Sequence, residues 1–226
     1  LPPPPADQHQ PIGLSHLSSS AGKIKVDGHG KIEGPLPARI GPNAIIRVAE
    51  ALVSRHGSAD PCFMAAGLSH YLTALPQEMV DEREVIALQT ALRDQLGVEE
   101  AAAVSRDAGL RTGDYLLAHR IPKPAQVLLR LLPPRPAARI LLSAVGKHAW
   151  TFAGSGQFRF DSGYPVRVTI ADCPICRGSV AHVPLCDFYT GAFERLFSIL
   201  VSRRAQVREV QCQAMGADAC VFEMRW

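Results

Sequence analysis

Cys186, Glu209, Cys212 and Cys220 are the residues whose types and spacing point to shared chemistry, the holding of a metal ion. Cys212 and Cys220 flank the stretch from Gln213 to Ala219, in which Gly216-Ala217-Asp218 is a turn signal between two short β-prone runs. The hairpin this predicts sets the two thiols across from each other, where facing Cα atoms are about 4.5 to 5.5 Å apart. Two thiolates at that separation can share one zinc ion, joined by Cys186 from the start of the preceding helix and Glu209 from the strand before the turn. Other chemistry fits the same spacing. Facing cysteines can form a disulfide, and free cysteines are among the most buried residues. The knuckle Cys173-Pro174-Ile175-Cys176 offers two more thiols, as alternative ligands or as a redox pair. Glu209 and Cys212 are three residues apart, so on a straight strand they point to opposite faces; one ion holds both only if a bulge or a strand end intervenes.

The elements that must carry these donors follow from the hydrophobic pattern. Gly41-Pro42-Asn43 opens a helix with Ile45, Ala49, Leu52 and Val53 on one face, closed by His56-Gly57. Val85, Leu88, Leu92 and Leu96 repeat at helical spacing behind an acidic start, and Gly97 stops that helix. A third helical region runs from Glu99 to His119, and prolines separate it from helices over 125–132 and 137–145. The period then changes. Trp150–Phe152, Phe158–Phe160 and the alternating Val166, Val168, Ile170 predict antiparallel strands. An amphipathic helix with Phe193, Leu196, Phe197, Leu200 and Val201 precedes the cysteine hairpin. Helices first and a small antiparallel sheet later make an α+β domain.

Composition narrows the functions. With 226 residues, 47% hydrophobic, the chain can bury one sizeable core. Residues 1–40, rich in Pro, Ser, Gly and His, read as a flexible N-terminal arm, and 41–226 as the folded domain. The 24 basic residues nearly balance the 21 acidic ones and are scattered along the chain, against a nucleic-acid partner. Six cysteines without a disulfide framework or a signal peptide fit the cytoplasm, and no apolar run reaches a membrane span.

The segment from Cys186-Asp187-Phe188 through Glu209-Val210-Gln211-Cys212 to Gly216-Ala217-Asp218-Ala219-Cys220-Val221-Phe222 resembles the 4-vinyl reductase domain family, whose members carry a Cys, a helix, Glu-x-x-Cys, a Gly-Asp turn and a final Cys-x-Phe. Ala38-Arg39-Ile40-Gly41-Pro42-Asn43-Ala44-Ile45-Ile46 and the layout of residues 38–226 resemble its bacteriochlorophyll-biosynthesis branch, a part of photosynthesis. The resemblance implies Zn2+ at Cys186, Glu209, Cys212 and Cys220, with Cys173 and Cys176 outside the family pattern. It also implies an α+β fold like that of nitric-oxide-sensing domains and transport-complex subunits, a homodimer, and an apolar pocket for a chlorophyll-type tetrapyrrole.

Two functions fit that resemblance. A vinyl reductase acting on divinyl protochlorophyllide would need a nicotinamide or flavin and a placed proton donor, and no dinucleotide loop or flavin signature is found. A tetrapyrrole-binding carrier, or chaperone, needs only an apolar slot, a few polar groups and one axial ligand for magnesium. Leu128, Leu129, Leu132, Ile140, Leu141, Trp150, Phe152, Phe158 and Phe160 could line the slot, Arg130 and Arg139 with Arg135 and Lys147 could meet carboxylates, and His119 or His148 could bind the magnesium. The expected reading is the carrier, holding a Mg-tetrapyrrole such as Mg-protoporphyrin or divinyl protochlorophyllide and docking on a pathway enzyme such as magnesium chelatase. A ligand-sensing module is a third reading, for which the chain has no output segment.

Overall fold

A computed structural model describes residues 38–226, together with the backbone of a hairpin in which β1 (Lys25–Val26) pairs antiparallel with β2 (Ile32–Glu33). That hairpin belongs to a unit of its own, residues 1–36, and residues 37–226 form the second unit. The flexible arm expected over residues 1–40 otherwise lies outside the described residues, apart from Ala38 to Ile40. In the second unit, β3 (Arg39–Ile40) pairs antiparallel with β4 (Val80–Asp81). Between them lie α1 (Asn43–His56) and the short α2 (Asp60–Ala65) and α3 (His70–Thr73). α1 ends where expected, at Gly57 with a left-handed φ of 79°. Its buried face is Ile45, Val48 and Leu52, while Val53, expected in the core, is exposed.

The long α4 (Glu82–His119) opens on Asp81, whose carboxylate accepts the Arg83 backbone N–H at 2.8 Å. The break expected at Gly97 is present, but as a kink: that one residue leaves helical geometry (φ 78°, ψ 164°) and the helix resumes at once. α5 (Lys123–Leu131) and α6 (Pro134–Lys147) follow, bounded by prolines as expected. Gln126, buried on α5, donates to the carbonyls of Leu117 and Ile121 at 2.6 and 2.8 Å and so ties α5 to the end of α4.

Trp150–Phe152 is not a strand. It lies in a helical turn, α7 (Trp150–Ala153), in which Thr151 N–H donates to His148 and Ala153 N–H to Ala149. Aromatic content reads as strand, but the local backbone bonds continue α6 and stop only at Gly154, φ 58°. The expected strands then appear as β5 (Gln157–Asp161), β6 (Val166–Ala171), β7 (Gln206–Gln211) and β8 (Cys220–Arg225), with α8 (Asp187–Leu200) inserted before β7. They form one antiparallel sheet in the order β5-β6-β8-β7. The domain is α+β.

α8 lies between α4 and this sheet and is apolar nearly all round. Toward the sheet, Tyr189 and Phe193 pack edge-on to Phe222 of β8, ring centroids 6.0 and 5.7 Å apart. Toward α4 the contact is backbone to backbone: a Cβ on Gly109 would overlap the Phe188 carbonyl, and one on Gly191 the Arg106 carbonyl.

A buried charge joins the start of α4 to two loops. Glu82 accepts the Ser155 backbone N–H at 2.9 Å, the Ser155 hydroxyl at 2.8 Å and an Arg177 N–H at 2.8 Å. Burial pushes its pKa up, but the Ser155 and Arg177 bonds outweigh burial and hold it below the ordinary glutamate value. The stabilisation from ionised Glu82 is therefore complete above the unfolded-state value of about 4.3 and is lost as the pH falls through the lower folded-state value. Glu82→Gln should cost about 2 kcal/mol near neutral pH. In urea unfolding the gap between variant and native protein should close in acid; a gap that persists there would assign the loss to shape rather than charge.

Candidate metal centre

Five of the six cysteines meet at one place, and each local fold explains one of them. Cys173 leaves the end of β6 after Asp172, which takes the left-handed φ of 52° that Asp tolerates. The Cys173 N–H donates to the Gln213 side-chain oxygen at 2.7 Å. Cys176 precedes Arg177, which Glu82 anchors. Cys186 is the residue before α8, and its N–H donates to Glu209 Oε2 at 2.8 Å. Cys212 follows β7, and Cys220 opens β8 opposite Ile170 of β6. All five are 0 to 1% exposed, and none is in a disulfide. Cys62, the sixth, is buried in α2.

The sulfurs are spaced as co-ligands. Cys173 to Cys186 is 3.4 Å, Cys176 to Cys220 and Cys186 to Cys220 are each 3.5 Å, and Cys212 to Cys220 is 4.0 Å. A disulfide would need about 2.05 Å. Two sulfurs on one tetrahedral zinc, each about 2.3 Å from the ion, stand about 3.8 Å apart. Two sets of four donors are compact enough to share one ion: Cys173, Cys176, Cys186 and Cys220, or Cys186, Glu209, Cys212 and Cys220. The sequence offers the Cys-x-x-Cys knuckle and the Glu/Cys set as alternatives; the fold brings both to the same point, with Cys186 and Cys220 common to them.

Glu209 and Cys212 reach the same side because β7 slips. Its register on β8 jumps from Glu209 opposite Phe222 to Gln211 opposite Val221, so Val210 is an extra residue. Val210 and Gln211 both turn outward, and Glu209 and Cys212 both turn in. The bulge required by the three-residue spacing is present.

The electrostatics of the cluster call for a cation. Hydrogen bonds from Cys173 and the neighbouring thiols drive Cys176 toward thiolate, while burial pushes Cys186 up and the Cys173 and Cys176 sulfurs push Cys220 up. Burial, and then the Cys212 sulfur, push Glu209 up to about 9 against the pull of the Cys186 N–H. Glu209 Oε1 is buried with no partner. Thiols this close cannot all ionise unless a positive ion takes the place of their protons, and a dication satisfies both the sulfurs and the orphaned oxygen. Arg93 adds charge from α4, donating to the Ile175 carbonyl at 3.3 Å and the Ser179 hydroxyl at 2.9 Å. Sequence reasoning misses both Arg93 and Gln213, since nothing local marks a residue that acts across the fold.

The expected ligand-binding residues stand elsewhere. His119, Arg130, Arg139, His148 and Trp150 are exposed, on or next to α4 to α7. Phe152 is half-buried, edge-on to Phe158 at 5.7 Å and packed on Tyr189 at 6.0 Å. Of the expected slot, Leu129 and Leu141 belong to the core, whereas Leu128 and Ile140 face solvent. The two best-formed hollows among the described residues, about 10 Å³ beside Gln89 and Ser105 and about 370 Å³ at the Val210–Asp218 turn, are lined by none of them.

Similarity to known proteins centres on the cysteine hairpin and extends beyond it. Residues 166–225 match the 4-vinyl reductase domain. The bacteriochlorophyll synthase 23 kDa chain of Cereibacter sphaeroides is 46% identical over 194 residues, 84% of this chain and 93% of that protein. The protein of the same name in Rhodobacter capsulatus is 39% identical over 186 residues, 81% of this chain and 85% of that one. Among solved structures, an H-NOX protein from S. oneidensis in its Fe(II)NO state aligns over 82% of this chain and 98% of its own, at 11% identity and a TM-score of 0.48.

Proposed function

Since the chain belongs to the family of bacteriochlorophyll synthase 23 kDa chains and carries a 4-vinyl reductase domain, we propose that it serves bacteriochlorophyll synthesis as a non-catalytic carrier of a chlorophyll-type tetrapyrrole. The observation that carries this reading is the closure of the metal centre: five thiols at 0 to 1% exposure, packed under α8 and the sheet. An ion held there by four protein ligands has no open position for a substrate, and zinc transfers no electrons. Its role is to pin the last quarter of the chain. Cys186 and Cys220 hold it in either arrangement, completed by Glu209 and Cys212 or by Cys173 and Cys176.

The pigment then falls to the helical face opposite in character, where Trp150 offers a flat apolar surface, Arg130 and Arg139 offer cations for carboxylates, and His148 or His119 offers an imidazole for magnesium. Phe152 backs that face by fixing α7 to the aromatic core. The carrier would pass its pigment to a pathway enzyme such as magnesium chelatase.

Titrating divinyl protochlorophyllide into the purified protein should shift the Soret band and quench tryptophan fluorescence. Trp150→Ala should weaken binding about tenfold, and the His variant that abolishes the axial spectral change names the magnesium ligand. The vinyl group should survive added NADPH. Turnover by the isolated chain would instead make it the 8-vinyl reductase, and an unchanged Soret band at saturating protein would end the carrier reading.

A further inference from the structure

The basic residues are spread along the chain, but the acidic ones are not. From Tyr115 to Phe160 there is no Asp or Glu, while seven Arg or Lys occur there: Arg120, Lys123, Arg130, Arg135, Arg139, Lys147 and Arg159. The rest of the chain holds the remaining 17 basic residues against all 21 acidic ones. A nearly neutral protein therefore has one strongly positive segment, made of α5, α6 and α7 with their flanks. None of its seven cations is in an ion pair among the described residues.

The same segment shows apolar side chains to solvent. α5 buries Gln126 and Leu129 on one side and presents Val127, Leu128 and Leu131, 54, 54 and 78% exposed, on the other. Their spacing of three and four residues makes them a single stripe, flanked by Lys123 and Arg130. α6 is similar: Ala138, Leu141 and Leu142 face the core, and Ile140 stands out beside Arg139, with Trp150 61% exposed just beyond the helix. A helix whose outward face is aliphatic and whose flanks are cationic is built for an interface with apolar material below a layer of negative charge.

We propose that α5 and α6 dock this protein on the surface of an anionic lipid bilayer, the aliphatic stripe entering the headgroup region and the arginines and lysines meeting phosphates. No helix among the described residues is long and apolar enough to cross a membrane, so the attachment is peripheral. A second copy of the chain is the poorer occupant. In a two-fold contact this face would meet itself, setting its cations against the same cations with no carboxylate to answer them.

The test is co-sedimentation of the full chain with vesicles of mixed phosphatidylglycerol and phosphatidylcholine, against pure phosphatidylcholine, at low and high salt. Only the anionic vesicles should carry the protein down, and high salt should release it. Lys123→Glu/Arg130→Glu should weaken binding by on the order of 25-fold, about fivefold for each cation lost. Leu128→Ser/Leu131→Ser should weaken it about tenfold or more at unchanged charge. All four side chains are exposed, so the thermal unfolding of both variants should match the native protein. Binding that ignores lipid charge, or that either double variant leaves intact, overturns the proposal. So does a dimer, seen by sedimentation, that Leu128→Ser/Leu131→Ser dissociates while vesicle binding persists. No tetrapyrrole enters the assay, so its result stands apart from the carrier reading.

Discussion

Cys220→Ser is expected to strip the protein of its metal and to collapse the C-terminal half of the domain. Cys220 belongs to both donor sets, with its sulfur 3.5 Å from those of Cys176 and Cys186 and 4.0 Å from that of Cys212. Whichever pair completes the site, no set of four survives its loss. Structural zinc contributes about 10 to 16 kcal/mol of apparent binding free energy to small domains that cannot fold without it. A chain with a large core of its own forfeits only part of that, but even about 5 kcal/mol equals the whole stability of many domains. Elemental analysis should give one zinc per native chain and none for Cys220→Ser, and a chelator should lower the unfolding temperature of the native protein alone. Cys173→Ser and Cys212→Ser then separate the two sets, since the variant that keeps its zinc has lost a bystander. Native stability and full zinc content in Cys220→Ser would remove the ion from this cluster altogether.

Gly191→Ala should be the second most damaging change, although the residue touches no ligand. Helix propensity alone favours the substitution by about 1 kcal/mol, because glycine in a helix interior is the more costly residue. Close packing opposes it. The new methyl would occupy the space of the Arg106 carbonyl, and both partners are backbone atoms of packed helices, so neither can swing away. α4 and α8 would have to separate along their length, at about 3 kcal/mol or more. Gly109→Ala meets the same barrier from the other side, at the Phe188 carbonyl. Once the helices have parted, the second methyl costs little, so the double variant should lose clearly less than the sum of the singles. Guanidinium unfolding decides it: a gain in stability for Gly191→Ala would show that propensity wins and that the helices do not lie this close.

The helices are legible in the sequence because their cues are local: proline and glycine boundaries, and the repeat of Val85, Leu88 and Leu92, lie within a few residues of the structure they specify. α7 misleads for the same reason. Trp150 and Phe152 carry a strand-like composition, and only the backbone bonds to His148 and Ala149 turn them into a helical end. The metal centre is half legible. The hairpin, the Cys186 entry and the need for a slip in β7 follow from spacing and the two-residue period of a strand. That Cys173 and Cys176 meet Cys186 and Cys220 depends on β6 pairing with β8, a long-range fact with no signal in either segment. The pigment slot fails because a set of apolar residues does not say which way they face: Leu128 and Leu129 are neighbours, yet one is solvated and the other is core.

The extra residue in β7 has an effect beyond the donors it aims. In the order β5-β6-β8-β7 that strand is the outermost, with one row of peptide groups free to recruit a strand from another molecule. A regular edge would be a template for such growth. With Val210 bulged out between Glu209 and Gln211, the free row loses its repeat and a foreign strand cannot stay in step along it. The odd spacing of two ligands thereby also guards the sheet against open-ended polymerisation.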